Sequence, residues 1–170
     1  SYVNMQSKVN TNANININRL EDALRLLREM REKNIQPDVF TYNTIISGYA
    51  KTGNVIECKR LIEEMKSQNI QPNIVTYNSL INAHSNSCDC NGEESERILR
   101  RLESLGLRPD VMTYNSVIGS YVNMQSKVNI NDNMNMNRME DALRLLREMR
   151  EKNIQPSLIT YNTIISGYAK

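Results

Sequence analysis

The sequence predicts an all-α solenoid of stacked helix-turn-helix hairpins. Three observations carry that prediction. The string Thr-Tyr-Asn occurs four times, at 41–43, 76–78, 113–115 and 160–162, with spacings of 35, 37 and 47 residues. The four prolines, Pro37, Pro72, Pro109 and Pro156, keep the same spacings. Residues 1–51 align without gaps on 120–170, and 43 of those 51 pairs are identical. Self-similarity at such a period marks a repeat array whose units bury their apolar faces only against neighbours.

Composition fits short stacked cores better than one large core. The 170 residues are 39% hydrophobic, with no Trp and one Phe, Phe40. The net charge is only +2. That balance excludes a histone-like, heavily basic nucleic-acid binder, though not one that reads bases. No apolar run of about 18 residues exists to span a membrane. The array begins and ends inside a unit and lacks an initiator Met, so a piece of a longer solenoid is expected.

The whole of 1–170 reads as one solenoid. Its units are 1–38 (partial, with an insertion), 39–73, 74–110, 111–157 (with an Asn-rich insertion at about 123–137) and 158–170 (partial). The unit 39–73 is the cleanest. In its first half Tyr42, Ile45, Ile46 and Tyr49 fall at i, i+3, i+4 and i+7, one face of a helix. Gly53 supplies a turn and Asn54 an N-cap. In the second half Val55, Cys58, Ile62 and Met65 form a second stripe beside Leu61, with charges of both signs opposite. Asn-Ile-Gln-Pro at 69–72 is expected to stop this helix, because proline disfavours a helical residue before it.

Other units repeat these places. Ala23, Cys58, Ser95 and Ala142 share a small-residue slot, and Leu27, Ile62, Leu99 and Leu146 a large apolar one. A Tyr recurs seven residues after three of the four motif tyrosines, as Tyr49, Tyr121 and Tyr168, with Tyr2 in the matching place of the partial unit. The unit 74–110 carries two extra residues within SNSCDCNGE, and 111–157 twelve extra within NMQSKVNINDNMNMNR. Alternating Asn with Ile or Met has no helical stripe, so these inserts are expected as extended or mobile loops.

On these residues the chain resembles the pentatricopeptide repeat (PPR) family, in its P-type form. The likeness rests on Thr-Tyr-Asn-Thr-Ile-Ile-Ser-Gly-Tyr-Ala-Lys, the Gly-Asn turn, Glu-Glu-Met, the closing Ile-Gln-Pro and the 35-residue length. The tetratricopeptide repeat, with its Trp and Leu-Gly pattern, fits less well. The resemblance implies a right-handed α-solenoid that binds single-stranded RNA in mitochondria or, alternatively, plastids, one base per repeat. It implies that the motif Asn and the residue after the closing proline form a base-reading pair. Those pairs are Asn43 with Asn73, Asn78 with Asp110, and Asn115 with Ser157. Asp38 and Asn162 are reader positions whose partners are missing. In the family such pairs favour C or U, then U, then C, a pyrimidine tract read 5′ to 3′ from the N-terminus. Phe40, Val75, Met112 and Ile159 resemble residues that wedge between bases. Lys51 and Lys170 resemble phosphate contacts, from which Asn4, Asn86 and Asn123 depart.

Other readings compete at some positions. The motif Asn residues could instead cap helices. The chain could be a scaffold subunit of an organellar ribosome or other ribonucleoprotein, holding rRNA and ribosomal proteins. His84, Cys88 and Cys90 could hold a metal with Asp89 or Glu93, but zinc sites want wider cysteine spacing. No metal or other cofactor is expected, and Cys58 reads as a small core residue. Three cysteines without a framework fit a reducing compartment. The His-x-Glu and Pro-Cys-x-x-Cys of an RNA deaminase are absent, as are a phosphate loop and a Ser-His-Asp set. A non-enzyme that takes no small-molecule substrate is expected.

Overall fold

A computed structural model describes residues 19–87, 91–124 and 132–169. Eight helices run through them: α1 (19–32), α2 (Val39–Lys51), α3 (Val55–Ser67), α4 (Ile74–Asn86), α5 (Gly92–Ser104), α6 (Val111–Asn123), α7 (Asp132–Glu151) and α8 (Leu158–Tyr168). No strand occurs among the described residues.

The local chemistry that starts each first helix is the same four times. Asp38, Asn73, Asp110 and Ser157 cap α2, α4, α6 and α8, each closing a capping box with the Thr three residues on. Such a cap contributes about 1 kcal/mol. Second helices start more simply, with Asn54 capping α3 and Asn91 capping α5.

Their ends differ from the sequence expectation. The stop lies three residues before the proline, at Asn69, which takes the left-handed conformation (φ 59°). Ile70 N–H then bonds Met65 O at 2.9 Å, and Asn69 N–H bonds Lys66 O at 3.0 Å. This is the Schellman closure, which satisfies the last free carbonyls of the helix. Asn34, Gly106 and Asn153 close α1, α5 and α7 in the same way. Asn and Gly tolerate that conformation best, so each Asn-Ile-Gln-Pro stops its helix through its Asn. The proline only keeps the exit extended.

A second correction concerns the Asn-rich insert. Helix α7 begins at Asp132, so the last six residues of that insert are helical. Asn and Met cost well under 1 kcal/mol each relative to Ala in a helix. The amphipathic turn that follows provides the nucleus, and extension from a nucleus is easy. Amphipathic periodicity was therefore too strict a criterion there.

The first helices stack in one row, α2 on α4, α4 on α6 and α6 on α8. Second helices α3, α5 and α7 each pack on the first helix of their own hairpin and on the next one in the row. The core runs along the row as a continuous strip that includes Tyr42, Ile46, Leu61, Met65, Ile81, Leu99, Ile118 and Leu145. The small-residue slot is where first and second helices touch: Cys58 Sγ lies 3.5 Å from Ile46 O, and Ser95 Oγ 2.8 Å from Ser120 Oγ. Burial pushes the Cys58 thiol up to about 12, an inert core residue. No helix among the described residues is long and apolar enough to cross a membrane.

Candidate nucleic-acid interface

Each residue of Thr-Tyr-Asn has a separate task. The Tyr enters the core, as Tyr42, Tyr77 and Tyr114 do. The Asn reaches forward to the cap of the next first helix. Asn43 Nδ2 donates to Asn73 Oδ1 at 3.1 Å, Asn78 Nδ2 to Asp110 Oδ1 at 3.4 Å, and Asn115 Nδ2 to Ser157 Oγ at 3.4 Å. The structure thus brings together all three pairs singled out in the sequence. Capping falls to the second member of each pair, not to the motif Asn.

The Thr was overlooked in the sequence, and it orients the reader. Thr76 Oγ1 donates to Asn43 Oδ1 at 2.6 Å, Thr113 to Asn78 at 2.7 Å, and Thr160 to Asn115 at 2.6 Å. Each of these hydroxyls also accepts from its cap backbone N–H, as at Asn73, Asp110 and Ser157. The hydroxyl proton is therefore free to point at the amide oxygen, which fixes which end of the Asn is oxygen and which nitrogen. The Thr recurs in every copy of the motif, which was the available signal.

The ladder leaves specific atoms unused among the described residues. Asn73 accepts at Oδ1 only, so its amide nitrogen keeps its protons. Asp110 accepts from Thr113 N–H and Asn78 Nδ2 at Oδ1, leaving Oδ2 without a partner. Ser157 Oγ accepts from Thr160 N and Asn115 Nδ2, and its one proton faces Thr160 Oγ1 at 3.2 Å, a contact it leaves if it turns outward. Asp38 stands at the open end of the ladder. The backbone N–H and hydroxyl of Thr41 hold its carboxyl below the usual carboxylate range. Asn43 is buried, Asn78 and Asn115 half-buried, and Asn162 exposed. The first three each have a following cap to lean on.

Phe40, Val75, Met112 and Ile159 are all exposed, each in the first turn of a first helix beside its cap. Lys51 is exposed in the last turn of α2. Asn86, in the corresponding place of α4, instead donates to Ala50 O at 3.1 Å and stitches two first helices together. Asn123 is exposed, and Lys170 and Asn4 lie outside the described residues. Cys88 and Cys90 lie outside them as well. His84 is buried, its pKa lowered by burial first and then by Lys59, and its Nε2 has no partner.

These features match one family. The pentatricopeptide repeat domain model matches residues 25–87 and 90–125, the PPR repeat family model 130–170, and the PPR repeat model 12–35. The chain belongs to the pentatricopeptide repeat family. Among solved structures it is similar to the PPR protein PPR10 in complex with an 18-nucleotide psaJ RNA element, at 29% identity and a TM-score of 0.73. That match covers 88% of this chain and 20% of PPR10, so the chain spans about a fifth of that protein. A structure of PPR10 from maize matches at 32% identity and a TM-score of 0.61, covering 85% of this chain and 19% of that one. The PPR domain of Arabidopsis thaliana protein-only RNase P 1 in complex with tRNA shares the fold, at 14% identity and 0.53, covering 89% and 91%. No curated protein sequence matches significantly.

Proposed function

We propose that this PPR array binds single-stranded RNA sequence-selectively, one base per reader pair, in a mitochondrion or plastid and without catalysis. The observation that carries the reading is the ladder of coupled Asn–cap pairs, whose unused atoms differ from rung to rung. Uracil presents an N3–H, which the spare Asp110 oxygen can accept. Cytosine presents a bare N3, which the Ser157 hydroxyl can meet by turning its proton away from Thr160. The Asn73 amide can donate to N3 of cytosine or to a carbonyl of uracil. The rungs therefore favour C or U, then U, then C, in chain order. The exposed Phe40, Val75, Met112 and Ile159 supply apolar surface for base faces, which adds affinity more than choice. Lys51 offers one phosphate contact, so the salt dependence is shallow.

A binding screen against randomised single-stranded RNA tests this. The expected enrichment is a pyrimidine run with U at the rung of Asn78 and Asp110. Asp110→Ser keeps the cap and should move that position from U to C. Enrichment of purine runs, or an unchanged preference in Asp110→Ser, would defeat the proposal. Binding that requires ribosomal particles would point to a scaffold subunit instead.

A further inference from the structure

The three rungs of the ladder share one plan, yet their chemistry leaves them different freedom. In each, a motif Asn, the cap of the next first helix and the Thr of that helix close a small ring of side chains. At the third rung Thr160 Oγ1 donates to Asn115 Oδ1 at 2.6 Å, and Asn115 Nδ2 donates to Ser157 Oγ at 3.4 Å. Ser157 Oγ stands 3.2 Å from Thr160 Oγ1, where either oxygen can donate. The backbone N–H of Ser157 donates to Thr160 Oγ1 at 2.9 Å, and that of Thr160 to Ser157 Oγ at 3.4 Å. With the Ser157 proton on Thr160, both hydroxyls donate once and accept twice, which is their full capacity. Thr160 is 0% exposed, so its hydroxyl has no solvent to turn to.

This ring has a direction, and at the third rung the direction is reversible. Turn the Asn115 amide over, and Nδ2 donates to Thr160, Thr160 to Ser157, and Ser157 to the amide oxygen. The number of bonds is unchanged, because a hydroxyl both donates and accepts. The other rungs have no such alternative. Asn43 meets Oδ1 of Asn73 at 3.1 Å, and Asn78 meets Oδ1 of Asp110 at 3.4 Å. Each of those oxygens also caps its helix by accepting from a Thr backbone N–H, at 3.2 and 2.8 Å, and neither carries a proton. An overturned amide there sets two acceptor oxygens against each other.

Distance selects the direction at the third rung. A separation of 2.6 Å suits a hydroxyl donor and is too short for an amide donor. The Thr160 proton therefore lies on Asn115. The Ser157 proton is left on Thr160, which also holds the Ser157 N–H and can release it.

We propose that Thr160 is a specificity-determining residue whose hydroxyl sets the direction of a reversible ring. Cytosine at the third rung is then chosen by Asn115, Ser157 and Thr160 together, whereas uracil at the second is chosen by Asn78 and Asp110. The inference rests on the base-reading function proposed above. In the forward ring Ser157 turns its proton from Thr160 to cytosine N3, and Asn115 keeps both its bonds. In the reversed ring that proton is tied to Asn115, and the amide oxygen beside the cap accepts the N3–H of uracil. A rung free to run both ways takes either pyrimidine.

Binding to single-stranded RNAs that differ only in the base facing one rung tests this. Wild type should prefer C over U at the third rung and U over C at the second, each by about tenfold, the worth of one hydrogen bond. Thr160→Val keeps the side-chain shape without the hydroxyl, and should bring C and U within about twofold of each other. Thr160→Ser should restore the preference. Thr113→Val should weaken selection at its own rung by no more than about twofold, since Asp110 alone orients Asn78. Both valine variants lose the same bond from a cap N–H, that of Ser157 at 2.9 Å or of Asp110 at 3.1 Å. Their melting temperatures should therefore fall alike, and a merely structural role would blunt both rungs equally. Ser157→Asp removes the reversible member, so in that background the rung should read uracil and Thr160→Val should matter no more than Thr113→Val. A Thr160→Val chain that keeps the full preference for C overturns the proposal, as does a Thr113→Val chain that loses its preference just as completely. A wild type indifferent to C and U at both rungs strikes the base-reading function itself, and this inference with it.

Discussion

The seam where α5 meets α7 is bound by charge, and the seam where α3 meets α5 is not. At the first, Arg100 grips both oxygens of Glu148 at 2.5 and 2.6 Å, and Arg144 grips Glu96 at 3.0 and 2.7 Å. Lys152 bonds Glu103 and Glu148, and the hydroxyls of Tyr114 and Tyr121 donate to Glu148 and Glu96, each at 2.8 Å. At the second seam the ion pair between hairpins among the described residues is Lys59 to Glu94, at 3.8 Å. There His84 stands where Tyr121 stands in the next hairpin, and Lys59 where Glu96 stands. The apolar slots are alike at both seams, so the hydrophobic strip is continuous while the polar fastening is not. In a solenoid each seam contributes its own term to stability. This one should open first where α3 meets α5.

The largest effect should come from cutting the strong seam at its hub. Glu148→Ala removes the acceptor of the Tyr114 hydroxyl and one partner each of Arg100 and Lys152, which are partly exposed and keep Glu103, and should cost roughly 2–3 kcal/mol in a urea titration. Acid should act on the same groups. Salt bridges and hydrogen bonds, Arg100 first for Glu148 and Arg144 first for Glu96, outweigh burial and hold both carboxyls down at about 2. Their folded pKa values lie below the unfolded ones, so their stabilisation is whole above about pH 5 and is lost as pH falls toward 2. His84 responds earlier. Burial, then Lys59, lowers its pKa, so the unfolded chain binds the proton better and stability falls as pH drops below about 6.5. Protection factors of amides around α4 should therefore fall at mildly acidic pH, while those of α6 and α7 hold. An equal fall at both seams would erase the distinction.

Steric fastening should rank next. A Cβ on Gly92 would lie 2.4–2.7 Å from the Tyr121 ring, so Gly92→Ala should cost about 2 kcal/mol by thermal melting. A smaller effect should run the other way. His84→Tyr removes a buried, unpartnered nitrogen and should raise stability by about 1 kcal/mol. With Lys59→Glu added, the new Tyr gains the acceptor that Tyr121 has in Glu96, and the two changes should be more than additive. Smallest of all, Lys59→Ala should change melting by at most about 0.5 kcal/mol, as loose exposed pairs do.

Much of this architecture was legible in the sequence, because periodicity reports burial directly. Tyr42, Ile45, Ile46 and Tyr49 all lie in the core, and Asn54 caps its helix. The family was legible for the same reason. What escaped was chemistry that periodicity does not encode. The helix exits depend on backbone sign at Asn34, Asn69 and Asn153, and an Asn looks alike whether it turns or solvates. Residues 132–137 extend a helix that their own pattern does not call for. Within the candidate site the pairs were visible as spacings. The Thr hydroxyls that aim the amides were hidden inside a motif already assigned a reason. The contrast between seams was hidden too, since charges at equivalent places in different units differ in sign without disturbing the repeat.

One feature of the ladder limits how this array can evolve. The second reader of each pair is also the cap of the next helix, so a residue there answers to the backbone before it meets a base. Only Asp, Asn, Ser, Thr and Gly cap well. The vocabulary open to that position is therefore small and polar, whatever base selection favours. Drift to a large or apolar residue would unravel the start of a helix along with the letter it reads. New preferences can then be reached by moving among cap-competent residues, each step leaving the scaffold intact: a code whose permitted spellings are set by folding.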